Sequence, residues 1–328
     1  MAGDTDDADG DADDTDGDAD DTDGGGVDVA IVGCGYVGLE LGRQLREAGR
    51  RVAGVRRSDE GLAAVREAGL EAVRADATDP DSLAALPDAE AVVFAASSGG
   101  RGADAARRVY VDGLRNVLAA YGGRADPPDR LVYTSSTGVY GDHDGDWVDE
   151  GTPLDPTTEK TEVLVEAERV ALAAGDEHGI DGTVVRFAGL YGPDRYRLDR
   201  YLDGPVTAGY LNMLHRDDAA GAVAFLLERD LARGEAVLAV DDEPADKWAF
   251  ADWLADECGV AEPEKRTAEE RIAAGDLSAA AARRVRTSKR CSNELLRELG
   301  YEFRFPTYRE GYRAAIEAYR RETGSAAD

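Results

Sequence analysis

Between Val27 and Phe187 short apolar runs alternate with amphipathic stretches. VDVAIV (27–32), RVAGV (51–55), EAVRAD (71–76), AVVFAA (91–96), RLVYTS (130–135) and GTVVRF (182–187) have the length and residue types of buried strands. Tyr36 to Ala48 places Val37, Leu41 and Leu45 at helical spacing, and further helices are predicted over 59–68, 81–86, 103–121 and 158–174. Strands separated by helices in this rhythm predict an α/β fold, a doubly wound parallel sheet covered on both faces. After Gly189 the rhythm breaks. A loop-rich stretch (191–216) leads to a helix from Asp217 and a strand at EAVLAV (235–240). Helices then follow near 246–258, 266–284, 292–299 and 308–322. The expected division is a doubly wound domain over 27–190 and a smaller, mainly helical C-terminal substrate lobe over 191–328, with the strand near 235–240 returning to the first domain.

Residues 1–26 stand apart from this pattern. They are almost wholly Asp, Ala, Thr and Gly, hold twelve aspartates and no basic residue, and are expected to stay disordered. The whole chain carries a net charge of −30, and the residues after that run carry −18. Such a balance argues against nucleic acid, whose phosphates need Lys and Arg, and against an anionic membrane surface. No run of about 18 apolar residues predicts a membrane span, and the first residues lack the basic and apolar regions of a secretory signal. A cytoplasmic location is expected. Of the 38 basic residues only Lys160, Lys247, Lys265 and Lys289 are lysines. Strong acidity with few lysines fits a high-salt, halophilic cytosol, where screening removes self-repulsion. Cys34, Cys258 and Cys291 form no framework and read as small buried apolar residues. His143, His178 and His215 are too scattered for a metal site, and none is expected.

Gly33-Cys34-Gly35-Tyr36-Val37-Gly38 is a G-x-G-x-x-G that follows a strand and opens a helix, the context in which the motif binds a dinucleotide on a Rossmann fold. Gly33 permits the turn, Gly35 admits the pyrophosphate, Gly38 lets helix and strand pack, and the helix N-terminus offers N–H donors. An NAD site usually places an acid at the end of the second strand. Here Arg56-Arg57-Ser58 stand instead, and two guanidiniums suit a 2′-phosphate. NADP is therefore the expected cofactor, with NAD as the alternative. Asp76 after the third strand is placed to meet the adenine, and Ala95 and Ala96 at the end of the fourth strand complete the cofactor-binding set.

Several segments resemble extended short-chain dehydrogenases/reductases of the NAD-dependent epimerase/dehydratase type. They are GCGYVG, VDGLRNVL (111–118), TSSTGVYG (134–141), DEGTPLDP (149–156), VVRFAGLYGP (184–193) and HRDDAAGAV (215–223). The likeness reaches the C-terminus through LSAAAARRVRTSKRCSNELLRELGYEFRFPTYREGY (277–312), where Lys289, Arg290, Ser292 and Asn293 form a polar cluster or simply cap a helix. The resemblance implies a Ser or Thr and a Tyr-x-x-x-Lys acting in proton transfer, and substrate-side roles for Arg186 and His215. Ser136 takes the Ser/Thr position, four residues before Tyr140. The register through Pro156 and Glu168 puts Lys160 at the Tyr position and Leu164 at the Lys position. Four residues before the four lysines stand Pro156, Glu243, Ala261 and Val285, so this chain has no Tyr-x-x-x-Lys. The family's usual asparagine on the fourth helix stands as Tyr110. An atypical member is implied.

Two functions follow. In one, the protein is an NADP(H)-dependent oxidoreductase or epimerase acting on a carbonyl or sugar-type small molecule. Ser136 positions the substrate oxygen, and Tyr133, Tyr140 or Lys160 supplies the proton. In the other, it binds the cofactor without turnover, as a redox sensor or scaffold. A homodimer is compatible with either.

Overall fold

In the computed structural model, residues 26–99, 102–275, 277 and 279–324 are described. The acidic run expected to be disordered falls outside them, apart from Gly26. Seven parallel strands form the central sheet. They are β1 (Val27–Val32), β2 (Val52–Arg56), β3 (Glu71–Arg74), β4 (Ala89–Phe94), β5 (Arg130–Ser136), β6 (Asp181–Phe187) and β7 (Ala236–Ala239). Their spatial order is β7-β6-β5-β4-β1-β2-β3, so the chain reverses its direction of winding between β1 and β4. A doubly wound sheet places its crevice outside the carboxyl ends at that point. The register sets Ile31 of β1 between Gly54 of β2 and Val93 of β4.

The strands are apolar on both faces because both faces are covered. On one face Leu41 and Leu45 of helix α1 (Tyr36–Glu47) meet Val223 and Leu226 from a helix in the second half of the chain, and Ile31, Val93 and Val132 beneath them. On the other, Leu114 and Val117 join Val163 and Ala167 over Val32, Val92 and Leu131. Helix α2 (Asp59–Glu67) begins at Ser58, whose Oγ accepts from Gly61 N.

Three local features differ from the sequence-based expectation. The helix predicted over 103–121 is interrupted. Helix α3 (Ala103–Arg107) and helix α4 (Gly113–Gly122) are joined by a π turn over Arg108–Asp112, where one extra residue swings Tyr110 toward the β4 loop. Helix α5 (Glu159–Leu172) is capped by Thr158, with Thr161 completing a reciprocal cap. It stops before 174, and a separate short turn, Ala174–His178, ends at the left-handed Gly179. Beyond 190, helix α6 (Arg216–Glu228), expected with the C-terminal lobe, packs on α1 beside the sheet in which β7 pairs with β6. The remaining C-terminal portion carries helix α7 (Lys247–Cys258) with several two-residue strands. One of these, Arg290–Cys291, lies along Trp147–Val148.

Candidate cofactor and substrate cleft

The glycine loop joins β1 to α1. Gly33 has φ +83°, and a Cβ there would lie 2.3 Å from Ala96 Cα. The loop and the end of β4 therefore touch backbone to backbone, which only glycine allows. A Cβ on Gly35 would lie 2.8 Å from the Arg56 guanidinium, and one on Gly38 3.0 Å from Ile31 Cγ2. Gly35 caps α1 without a side-chain hydrogen bond, leaving the first-turn N–H groups free for an anion. This cradle, which any side chain would fill, fits a dinucleotide pyrophosphate.

A cleft of about 1680 Å³ opens above the loop. Gly33, Gly35, Tyr36, Val37, Arg56, Arg57, Ser58, Asp76, Ala95, Ala96, Ser136 and Lys160 all line it. Gly38 does not; it packs against the sheet. Arg56 lies across Gly35 and Gly61. Arg57 reaches Asp76 at 3.3 Å, and Thr78 donates to the same carboxylate through its backbone N–H (3.0 Å) and hydroxyl (2.9 Å). These bonds hold the Asp76 carboxyl below its ordinary range despite partial burial.

In the middle of the cleft, Ser136 closes β5, and its Oγ accepts from Gly138 N at 3.2 Å. Lys160 projects from the first turn of α5, its Nζ 6.0 Å from the centre of the Tyr110 ring. The Tyr110 hydroxyl accepts from Ser98 N at 3.3 Å and lies 3.5 Å from Ser98 Oγ. Leu164 supplies an apolar wall next to them.

Four residues expected near the chemistry do not line the cleft. Tyr140 is fully buried and receives a 2.7 Å hydrogen bond from Arg186 Nη1; burial pushes its phenol well above the ordinary tyrosine range. Arg186 also donates to Glu168 through Nε (3.2 Å) and Nη2 (2.8 Å), and Ser135 Oγ donates to the same carboxylate at 2.5 Å. That closed network leaves Arg186 no hand for substrate. Tyr133 is buried and stacked on Phe94, so it cannot serve as a donor to the cleft. His215 is buried as the cap of α6, its Nδ1 accepting from Asp217 N, with its ring 3.9 Å from that of Phe305. Burial lowers its pKa to about 4, so it stays neutral and structural. The neighbouring Asp218 accepts from Arg304 N and Phe305 N, pinning the C-terminal segment to α6. The three cysteines are free and buried, and burial raises the Cys34 thiol to about 12.

A model of the NAD-dependent epimerase/dehydratase family matches residues 29–237. The chain belongs to the NAD-dependent epimerase/dehydratase family. It is 29% identical over 289 residues to Protein YeeZ of Escherichia coli K12, covering 85% of this chain and 96% of that protein. Among solved structures it is similar to a candidate NAD-dependent epimerase/dehydratase from Methylobacillus flagellatus. That likeness has a TM-score of 0.70 and 31% identity over 90% of this chain and 99% of the other. The dTDP-glucose 4,6-dehydratase DesIV from Streptomyces venezuelae, solved with NAD bound, shares the fold at TM-score 0.71 and 20% identity, over 90% and 98% of the two chains.

As a member of this epimerase/dehydratase family, the chain brings to its cleft several residues that sequence reasoning did not assign to it. Tyr110, Arg195, Arg197, Asn212 and Lys247 line it together with Lys289. Arg195 stacks on the Tyr36 ring, 3.9 Å from its centre. A signal was present in the sequence: three of the four lysines, Lys160, Lys247 and Lys289, face this one cleft. Arginine supplies the other 34 of the 38 basic residues, so the gathering of three amines at one cleft suits a place where a compact, rotatable donor is required.

Proposed function

We propose that the protein is an NADP(H)-dependent oxidoreductase or epimerase acting on a carbonyl- or sugar-type small molecule. The observation that carries this reading is the meeting of Ser136, Tyr110 and Lys160 at one cleft with the glycine loop. They come from β5, the π turn and α5, so no linear motif announces them. When bound, the cofactor supplies or accepts a hydride. Ser136 hydrogen-bonds the substrate oxygen and fixes its orientation. Tyr110 gives or takes the proton at that oxygen. The Lys160 ammonium offsets the negative charge Tyr110 gains when its proton leaves. Arg56 and Arg57, with no acid at the end of β2, support NADP over NAD through contact with a 2′-phosphate.

The test is a turnover screen of aldehydes, ketones and nucleotide sugars with NADPH, using wild type, Ser136→Ala and Tyr110→Phe. Each variant should keep NADPH binding and lose about 10²–10⁴ in kcat, the usual worth of acid–base help. If NADPH binds at micromolar levels and no substrate consumes it, the protein acts as a redox sensor or scaffold. That second reading draws on the missing Tyr-x-x-x-Lys.

A further inference from the structure

The C-terminal side of the cleft carries cations that form no ion pair among the described residues. Lys289 is 7% exposed, and its Nζ donates to Gly141 O at 2.8 Å. Lys247, at the start of α7, is half-buried, and its Nζ makes a long hydrogen bond to Ala208 O at 3.5 Å. Among the described residues neither lysine pairs with a carboxylate, whereas Lys265 outside the cleft pairs with Asp252 and Glu262. Arg197 lines the same cleft, also without a carboxylate partner among the described residues. The backbone closes in on this corner: Gly209, at φ +113°, would bring a Cβ to 3.1 Å from Lys247 Nζ.

In a chain of net charge −30, carboxylates are plentiful, yet those that line this cleft, Asp76, Glu159 and Glu162, form no ion pair with Lys247 or Lys289 among the described residues. A buried ammonium without a counter-ion is costly to keep. The cost shows in both groups. Burial lowers the pKa of each below the ordinary lysine range; for Lys247 the charges of Arg200 and Lys289 lower it further, and the charges of Asp246 near Lys247 and Asp142 near Lys289 offset this only in part. A ligand anion would remove the cost and give each amine the partner that the protein withholds.

We propose that Lys247 and Lys289 form an anion subsite that takes a phosphate or carboxylate group of the substrate. The inference rests on the proposed function in supposing that this cleft accepts a small molecule. It adds that the molecule is anionic and is gripped by amines of the C-terminal portion.

Four lysines make the test direct. Protein labelled with ¹³C at lysine Cε gives one signal per lysine, assigned through single Lys→Arg variants. The labelled protein is first saturated with NADPH, followed by nucleotide fluorescence, so that the glycine loop is filled. Inorganic phosphate and acetate are then titrated separately at constant ionic strength. The Lys247 and Lys289 signals should move together along one saturating curve while the Lys265 signal stays in place. In Lys247→Gln the midpoint, read at Lys289, should rise at least tenfold. Saturation by phosphate alone identifies a phosphate-bearing substrate, and saturation by acetate alone a carboxylate; either supports the subsite. Signals of all four lysines drifting together without saturation, or no movement at Lys247 and Lys289, overturns it. Failure of NADPH to bind would overturn the cofactor reading, and the lysine signals would still report on the anion.

Discussion

Arg186 and Glu168 meet in the core beneath the cleft, joined at 2.8 Å, with side chains 6% and 2% exposed. Tyr140 and Ser135 complete the network, so every charged atom of the pair has a partner. A buried pair of this kind adds little over apolar packing, but breaking it strands a charge. Glu168→Leu should therefore cost about 3–5 kcal/mol in denaturant unfolding. Arg186→Met should cost a similar amount by leaving Glu168 uncompensated. The double variant Glu168→Leu/Arg186→Met should cost less than the two single losses added together. Additive losses would show that the two residues act independently.

The same network predicts the behaviour of Tyr140→Phe. The substitution removes a hydroxyl bonded to a charged guanidinium and keeps the ring in place. Stability should fall by about 1.5–3 kcal/mol, the worth of a hydrogen bond to a charged group. Once a substrate is in hand, kcat should stay within about twofold of wild type, because Tyr140 does not line the cleft. A loss near the 10²–10⁴ range of acid–base catalysis would return Tyr140 to the chemistry.

Tyr140 also shows where sequence reasoning reaches its limit. The strand–helix rhythm and the glycine loop are local signals, and they lead to the doubly wound sheet and to the cofactor end of the cleft. TSSTGVYG places Ser136 at the end of β5 for the same reason. Whether a side chain four residues further on turns outward or inward depends on partners distant in sequence. For Tyr140 that partner is Arg186, 46 positions away. Tyr110 reverses the case: an unbroken helix was expected, and the π turn that aims its hydroxyl at Ser98 has no simple sequence mark. His215 and Arg186 sit in segments that resemble the family's, and the structure uses both for packing. The lysine pattern was readable, but only once the fold had gathered residues 160, 247 and 289 at one opening.

Cofactor choice can be read from the two arginines separately. Arg57 is largely exposed at the rim, with Asp76 beside it, while Arg56 lies over Gly35. Under the NADP(H) reading, Arg57→Ala should weaken NADPH by about 1–3 kcal/mol and leave NADH nearly unchanged. Arg56→Ala should weaken both, because it strips a positive charge from above the pyrophosphate loop. Calorimetry at high and low salt would decide. Equal NADPH and NADH affinities in the wild type would remove the case for the 2′-phosphate.

Asp241 gives a pH dependence with a definite sign. It follows β7 with 1% exposure, and neither carboxyl oxygen makes a hydrogen bond of full strength. Burial raises its pKa well above the ordinary range; the Glu243 backbone N–H lowers it only in part, and the charges of Asp242 and Glu243 raise it further. The folded protein thus keeps the Asp241 proton where the unfolded chain, with a pKa of about 3.9, releases it. Folding stability linked to this group is fully present below about pH 4 and is lost as pH rises toward the folded pKa. Asp241→Asn holds a neutral group of the same shape and has no proton to lose. Its stability relative to wild type should therefore be least favourable near pH 4 and improve steadily toward pH 7. Urea unfolding of both proteins at half-unit pH steps measures the difference between the two curves. A flat difference would show that Asp241 ionises in the folded state as readily as in the unfolded chain, with a counter-charge or water reaching it. A fall in the stability of Asp241→Asn relative to wild type as pH rises would mean that the folded pKa is depressed, the opposite of what its burial dictates.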